Sequence, residues 1–105
     1  MEFVETKTFS QNIIKLISDE ELARLQFALV LRPDVGKLTH GSGGLRKLRW
    51  ISGVRGKRGG VRIIYYWYGS EEIIYLLLAY KKSAKEDLTQ RQLKVLMDLI
   101  KDERR

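Results

Sequence analysis

The chain has 105 residues, a hydrophobic fraction of 44% and a formal net charge of +7, which together predict one globular domain over residues 1–105. It has no cysteine, and this excludes a disulfide framework and any thiolate nucleophile or thiolate metal site. The longest apolar run, residues 73–80, is far shorter than the ~20 residues that span a bilayer. The sequence therefore predicts a cytoplasmic protein without a membrane partner.

Two amphipathic helices are predicted after a short first strand at residues 2–6. The buried stripe of the first helix consists of Phe9, Ile13, Leu16 and Ile17. Ser18 and Glu21 form a capping-box pattern that starts a second helix, and Pro33 ends it because proline lacks a backbone donor. The buried face of the second helix consists of Leu22, Leu25, Ala28 and Leu29. The N-terminal third is therefore predicted to be a helical hairpin over residues ~8–32.

The second half of the chain has the pattern of a sheet followed by a helix. Strands are predicted at residues 45–51, 61–68 and 73–80, and the residues between 36 and 44 and between 52 and 60 are predicted to be loops. Thr89 and Gln92 form a second capping box, and the stripe of the C-terminal helix is Leu93, Leu96, Met97 and Ile100. The predicted fold class is α+β, with an N-terminal helical hairpin, an antiparallel sheet of about four strands and a C-terminal helix.

Positive charge and glycine are concentrated in the middle of the chain. All nine glycines lie between Gly36 and Gly69, together with eight lysines and arginines, and no acidic residue occurs between Asp34 and Glu71. A basic segment with so much backbone freedom beside an apolar strand favours a polyanion such as nucleic acid as the partner. The alternative is a solvated basic surface that keeps the protein soluble.

One arginine lies inside an otherwise apolar strand. Alternation places Arg62 on the same face as Ile64, Tyr66 and Tyr68, and the opposite face carries Val61, Ile63, Tyr65 and Trp67. A half-buried arginine needs an anion or other hydrogen-bond partners, and its planar fork fits two phosphate oxygens. The alternative is a salt bridge to Glu71, Glu72 or a carboxylate on a helix.

Other basic residues are predicted to converge on the same end of the sheet. In an antiparallel hairpin that turns near residues 69–72, residues 80–82 lie across from the start of the preceding strand. The neighbouring strand would add Lys47 and Arg49. Such a cleft holds a backbone phosphate, and Tyr66 or Tyr80 can stack on a base. Clustered cations also favour the neutral form of a lysine, which makes a general base accessible. A binding module without catalysis stays open on these residues alone.

Several other site classes do not fit the sequence. His40 is the only histidine, and without neighbouring cysteine or carboxylate it is predicted to be a loop residue rather than a metal ligand or catalytic base. The glycine loops match neither the Walker A spacing nor a dinucleotide fingerprint. The acidic residues lie in the helical regions and in the 71–72 turn, where they do not form a paired-carboxylate hydrolase site. No metal and no cofactor are expected.

Three stretches of the chain are informative when taken together: residues 44–50 (GLRKLRW), 56–66 (GKRGGVRIIYY) and 74–82 (IYLLLAYKK). They resemble the RelE superfamily of bacterial toxins, most closely its HigB-like branch. The resemblance implies a microbial-ribonuclease-like fold and the toxin of a type II toxin–antitoxin pair that cleaves messenger RNA on the ribosome. It implies attack of the ribose 2′-hydroxyl on the adjacent phosphate. It also implies a HigA-like helix-turn-helix antitoxin as partner, with operator DNA bound only through the antitoxin complex.

The resemblance also assigns roles to residues. Arg62 matches the arginine that holds the scissile phosphate, Arg49 and Lys47 match a basic strand pair that supplies a candidate base, and Lys82 lies near the residue that assists the leaving group. The RNA-binding residues implied around them are Lys47, Lys57, Arg58, Tyr80, Lys81 and Lys85. Some members carry a catalytic tyrosine near the position of Leu88 and Thr89, which this chain lacks. Its role would pass to Lys82, Lys85 or Tyr80.

Some apolar residues lie outside the predicted helix stripes. They are Phe27, Val30 and Leu31 on the second helix and Val95 and Leu99 on the C-terminal helix. Extra apolar residues on a helix usually thicken the core, which is the interpretation favoured here. The alternative is a binding surface for an antitoxin peptide.

Overall fold

A computed structural model describes residues 1–51, 60–81 and 88–103. Its elements in chain order are β1 (Glu2–Glu5), α1 (Lys7–Leu16), α2 (Asp19–Leu31), β2 (Lys37–Leu38), β3 (Arg46–Trp50), β4 (Val61–Tyr68), a 3-10 turn (Gly69–Glu71), β5 (Ile73–Lys81) and α3 (Gln90–Glu103). The α+β class and the predicted positions of the helices are confirmed. None of these helices is long and apolar enough to cross a membrane.

The sheet differs from the prediction in strand number and direction. It has five strands in the order β1-β5-β4-β3-β2, and β1 pairs parallel with β5 while the other pairs are antiparallel. The prediction of an antiparallel sheet of about four strands is therefore wrong in two respects. The sequence around Lys37–Leu38 was predicted to be loop but forms the short edge strand β2, and a parallel partner for β1 becomes possible because helices lie between the two strands.

The helix boundaries follow from side-chain caps. Ser18 Oγ accepts a hydrogen bond from Glu21 N at 3.1 Å, and Thr89 and Gln92 cap the start of α3 reciprocally at 3.1 and 2.9 Å. The predicted capping box at Thr89 and Gln92 is confirmed, and Ser18 is confirmed as the N-cap of α2, while the Glu21 carboxylate accepts from Trp50 and Arg24. Thr6 adds a third cap: its hydroxyl accepts from Phe9 N at 3.0 Å and donates to Leu77 O at 2.8 Å. This last bond ties the start of α1 directly to β5.

Helices α1 and α2 follow each other closely, but they pack mainly on the sheet. Only Ile17 and Ser18 separate them, and α1 lies against β5. Their buried residues join β4 and β5 in one apolar cluster whose members include Phe9, Ile13, Leu25, Leu29, Ile63, Tyr65 and Leu76. The predicted helical hairpin is thus a pair of consecutive helices held by a shared sheet face rather than by each other.

Helix α3 covers the opposite face of the sheet. Its buried residues Leu93 and Ile100 pack in a second cluster with Leu45, Ile64, Tyr75 and Leu77. The register between β4 and β5 shifts between Ile64 and Tyr65, which pair with Leu78 and Leu76. Leu77 is the extra residue of this bulge, and both Leu77 and Leu78 consequently join the cluster under α3. The predicted alternation of β4, with Arg62, Ile64 and Tyr66 on one face and Ile63 and Tyr65 on the other, is confirmed.

A buried carboxylate links α2 to the sheet. Glu21 is 3% exposed. Its carboxylate accepts a hydrogen bond from Trp50 Nε1 at 3.0 Å and forms an ion pair with Arg24 at 2.8 Å. Burial of a charge is tolerated because these donors replace water. Glu21 therefore fixes the end of β3 against α2, on the face of the sheet opposite α3.

Candidate nucleic-acid interface at the open end of the sheet

Three strands bring polar side chains into one row at the end of the sheet. Arg49 on β3 pairs with Arg62 on β4, and Arg62 pairs with Tyr80 on β5. Paired residues in neighbouring strands point to the same face and lie about 5 Å apart. Ile64, two residues from Arg62, and Leu45, four residues from Arg49, are in the cluster under α3, so the Arg49–Arg62–Tyr80 row lies on the α3 face. The predicted convergence of these residues is confirmed.

The electrostatics of this row favour an anion. Two arginines directly opposite each other on neighbouring strands repel, and like charges in this arrangement destabilise a sheet. Arg62 is half-buried and Arg49 is exposed, so the pair is open to solvent from one side. A phosphate placed between them would replace repulsion with two charge-assisted interactions.

A cleft of about 220 Å³ lies beside the row, between the sheet and α3. We refer to it as the α3 cleft. Its sheet wall contains Lys47, Ile64 and Tyr80, and its other lining residues are Thr39, His40, Leu88, Gln90 and Leu93. Lys47 pairs with Ile64 across β3 and β4. It lies two residues before Arg49 on β3 and is therefore further from the open end of the sheet. The predicted residues Lys47 and Tyr80 thus share a cleft that opens next to Arg62.

The remaining predicted site residues fall into two groups. Lys81 pairs with Val61 at the same end of the sheet, but alternation directs its side chain away from the face that carries Tyr80. Lys57, Arg58, Lys82 and Lys85 lie outside the described residues. The candidate catalytic and RNA-binding residues that the structure brings together are therefore Lys47, Arg49, Arg62 and Tyr80.

The geometry of β4 excludes one of the alternative partners of Arg62, the glutamates at the turn. Glu71 and Glu72 lie at the turn between β4 and β5, at the opposite end of the strand from Arg62. Six residues of extended strand separate Arg62 from Tyr68, a distance of about 20 Å. A salt bridge between Arg62 and either glutamate is excluded by this separation.

The loop that closes the α3 cleft was not recognised as part of a site from the sequence. His40 was predicted to be a loop residue, which it is, but the loop packs on the start of α3: Gln90 Nε2 donates to His40 O at 3.4 Å. Gly41 makes this approach possible, since its φ is +72° and a Cβ there would lie 3.1 Å from Gln90 Oε1. No local pattern signals a contact between residues 50 positions apart.

The apolar residues outside the helix stripes are exposed. Phe27 is 64% exposed and Leu31 is 66% exposed on α2, with Val30 beside them, and Val95 and Leu99 are exposed on α3. The prediction that these residues thicken the core is therefore wrong. We refer to Phe27, Val30 and Leu31 as the α2 apolar surface. Exposed apolar side chains at helical spacing mark a surface suited to a protein partner.

Metal ligands do not cluster in the described part of the chain. No group of three or more histidine, aspartate or glutamate side chains suited to a metal ion occurs within residues 1–51, 60–81 and 88–103.

No protein-family model matches the sequence. Two solved structures are similar to it in fold. The first is the E. coli toxin RelE with two arginine-to-alanine substitutions in the free state, with a TM-score of 0.63 and 16% identity over 90% of this chain and 93% of that one. The second is the intact E. coli RelBE toxin–antitoxin complex, with a TM-score of 0.59 and 16% identity over 76% of this chain and 94% of that one. These similarities establish a RelE-like fold.

Proposed function

We propose that this chain is the toxin of a type II toxin–antitoxin pair, of the HigB-like branch of the RelE superfamily, and that it cleaves messenger RNA on the ribosome. The observation that carries the proposal is the Arg49–Arg62–Tyr80 row, which combines two phosphate-binding side chains with an aromatic ring at an open sheet end. The RelE-like fold supports the same function.

The proposed reaction is an internal transfer at one phosphate. The ribose 2′-oxygen attacks the adjacent phosphorus, the P–O5′ bond breaks, and the products carry a 2′,3′-cyclic phosphate and a 5′-hydroxyl. Arg62 and Arg49 hold the phosphate oxygens on which negative charge builds in the transition state, and preorganised donors of this kind supply a large part of catalysis.

Two proton transfers complete the reaction. The 2′-hydroxyl loses its proton to a base, and the departing 5′-oxygen takes one from an acid. We assign these transfers to lysines of the basic cluster. Lys47 lies in the α3 cleft beside Tyr80, and Lys82 follows directly after β5 in the sequence. Tyr80 is proposed to stack on a base next to the scissile phosphate.

The proposed protein partner is a HigA-like helix-turn-helix antitoxin, with operator DNA bound only through the toxin–antitoxin complex. The second similar structure is a toxin–antitoxin complex, and the α2 apolar surface offers this chain a site for such a partner. An amphipathic helix or extended peptide laid on Phe27 and Leu31 would bury side chains that are now about two-thirds exposed.

The test compares two arginine variants on a translated message. Arg62→Ala removes the charge at the row, and Arg32→Ala removes the same charge from the exposed end of α2. We expect cleavage to fall about 100-fold or more in Arg62→Ala and to stay at the wild-type level in Arg32→Ala, with unchanged melting temperatures for both.

Mapping the RNA ends identifies the chemistry. We expect new 5′-hydroxyl ends and 2′,3′-cyclic phosphates with the wild-type protein. Full cleavage by Arg62→Ala would contradict the proposed site. A wild-type protein that binds RNA and ribosomes without producing any cleaved ends would instead indicate a non-catalytic binding module.

A further inference from the structure

The α3 cleft has the size and wall chemistry of a site for a single flat ring. Its volume of about 220 Å³ is below the ~300–1,000 Å³ typical of drug-sized ligands, so it has room for one ring system but not for a dinucleotide. Ile64, Leu88 and Leu93 supply apolar walls and Tyr80 supplies an aromatic one. Aromatic and aliphatic walls of this kind favour stacking of a planar ring.

The polar groups in the cleft are suited to a ligand that both donates and accepts hydrogen bonds. The Oγ1 atom of Thr39 is buried and has no hydrogen-bond partner within the part of the chain that the structure describes. A hydroxyl can donate one hydrogen bond and accept others, and leaving a buried one unused costs free energy. Thr39 lines the cleft, so a rotation about its χ1 bond would turn this hydroxyl from its buried position toward a bound ligand.

The amide of Gln90 lies at the same wall and contacts the loop that carries His40. Its Nε2 donates to His40 O at 3.4 Å, which leaves the second N–H of that nitrogen and the acceptor Oε1 for a ligand. An amide that offers one donor next to one acceptor matches the edge of a nucleobase, which presents the same groups in complementary order. A phosphate would use only the donor, and an aliphatic ligand would use neither.

We propose that the α3 cleft is a nucleobase subsite, in which one RNA base stacks on Tyr80 and its edge is read by the Thr39 hydroxyl and the Gln90 amide. The proposal rests on the proposed function, because it places this base next to the phosphate held by Arg62. Thr39 and Gln90 are then specificity residues: they set which base is tolerated at one position of the RNA and take no part in the chemistry.

Binding to a non-cleavable RNA tests the subsite separately from cleavage. The probe is a short single-stranded RNA in which 2′-deoxy sugars block cleavage, prepared as a series with one abasic position moved along the strand. We expect one position to be critical, with about 10-fold lower affinity when its base is removed. Equal affinity at every abasic position would overturn the proposal.

Four variants test whether the critical base of the RNA probe binds in the α3 cleft. Thr39→Val and Gln90→Met remove the polar groups while keeping the side-chain size, and Thr8→Val and Gln11→Met make the same changes on exposed positions of α1. We expect each cleft variant to bind the intact probe several-fold more weakly. The effect of removing the critical base should also shrink in both, since the two changes delete the same interaction. The α1 variants should behave as the wild type.

The cleavage pattern tests the nucleobase subsite separately from the proposed nuclease function. If the subsite is correct, Thr39→Val and Gln90→Met still cleave RNA but with a relaxed base preference at one position. Unchanged preference in both variants, with active wild-type protein, overturns the subsite and leaves the nuclease assignment intact. A wild-type protein that shows the abasic effect without cleaving RNA overturns the nuclease assignment and retains the subsite. Absence of binding to the probe, together with absence of cleavage of a translated message, overturns both.

Discussion

Successive side chains of β4 enter two different environments. Ile63 and Tyr65 point to the face covered by α1 and α2, where Phe9, Leu25 and Leu29 are completely buried. Arg62 and Ile64 point to the face of α3, where Ile64 is buried but Arg62 stays partly exposed beside the α3 cleft. One strand thus contributes to a closed core on one side and to an open site on the other.

The difference follows from the dimensions of the covering elements. A helix with its side chains is about 10–12 Å across, whereas the five strands of this sheet, spaced about 4.8 Å apart, span nearly 20 Å. Two helices cover the first face, and a single helix cannot cover the second. Because the core under α1 and α2 and the Arg49–Arg62–Tyr80 row lie on opposite faces of the sheet, substitutions in the row are expected to spare the fold, and substitutions in that core are expected to spare RNA affinity.

The largest expected effect is a loss of stability caused by a substitution in the core under α1 and α2. Leu25→Ala should lower the free energy of unfolding by about 2–5 kcal/mol, since it removes buried methyl groups and leaves a cavity. Leu31→Ala, the same change at a 66% exposed position of the same helix, should stay within about 0.5 kcal/mol of the wild type. Urea denaturation measures both, and equal losses would contradict the assignment of the core to one face of α2.

A smaller effect is expected from Tyr65, a polar anchor in that core. Tyr65 donates to Pro33 O at 2.7 Å and accepts from Gly36 N at 2.8 Å, so Tyr65→Phe leaves two buried groups unpaired and should cost about 1–3 kcal/mol.

The same anchor gives the fold a pH dependence. Burial raises the pKa of Tyr65 above its ordinary value of 10.0, so the folded chain keeps a proton that the unfolded chain loses. The stabilisation of the fold that follows from this raised pKa is complete below pH ~10 and decreases as the pH rises from there through the folded pKa. Unfolding curves at pH ~8 and pH ~11 should show a gap between wild type and Tyr65→Phe that narrows at the higher pH; a constant gap would contradict this assignment.

A further prediction concerns the α2 apolar surface, which lies outside the core. Phe27→Ser should weaken binding of the proposed antitoxin about 10-fold, as the loss of an aromatic anchor does at other interfaces. Its unfolding free energy should change by about 0.5 kcal/mol or less. Ile14→Ser, at a 71% exposed position of α1, is the matched control. Calorimetric titration with the antitoxin measures the difference, and equal affinities for the two variants would remove α2 from the interface.

The smallest expected effect concerns a single cation on the open face. Lys47→Ala should reduce affinity for single-stranded RNA a few-fold and lower the slope of log affinity against log salt by about 0.7, the value for one phosphate contact. Lys7→Ala, an exposed lysine at the start of α1, should leave the slope unchanged. A salt series with both variants decides whether Lys47 contacts a phosphate.

Local patterns in the sequence predicted most of the individual elements. The N-cap at Ser18, the capping box at Thr89 and the alternation of β4 depend on residues close together in the chain, and all three appear in the structure. The position of the Arg49–Arg62–Tyr80 row followed from the register of consecutive antiparallel strands. These features share one property, which is that neighbours in sequence determine them.

Long-range contacts account for what could not be predicted. The parallel partner of β1 and the contact of His40 with Gln90 join distant segments, and no periodicity in either segment specifies the other. The α2 apolar surface was misjudged for a related reason. An apolar residue such as Phe27 has the same pattern whether it faces a core or a partner, and only the positions of the other elements distinguish the two.

The pairing of β1 with β5 has a consequence for the order in which the chain folds. Glu2 lies opposite Ile73, so the first strand has no partner until synthesis has advanced by 71 residues. At 5–20 residues per second this takes about 4–14 s. Such distant pairing raises the contact order and slows folding. The edge of the sheet can therefore form only after β5 has been synthesised, and the cleft under α3 only after residues 88–93 have followed. A translation product that ends before residue 73 would lack both.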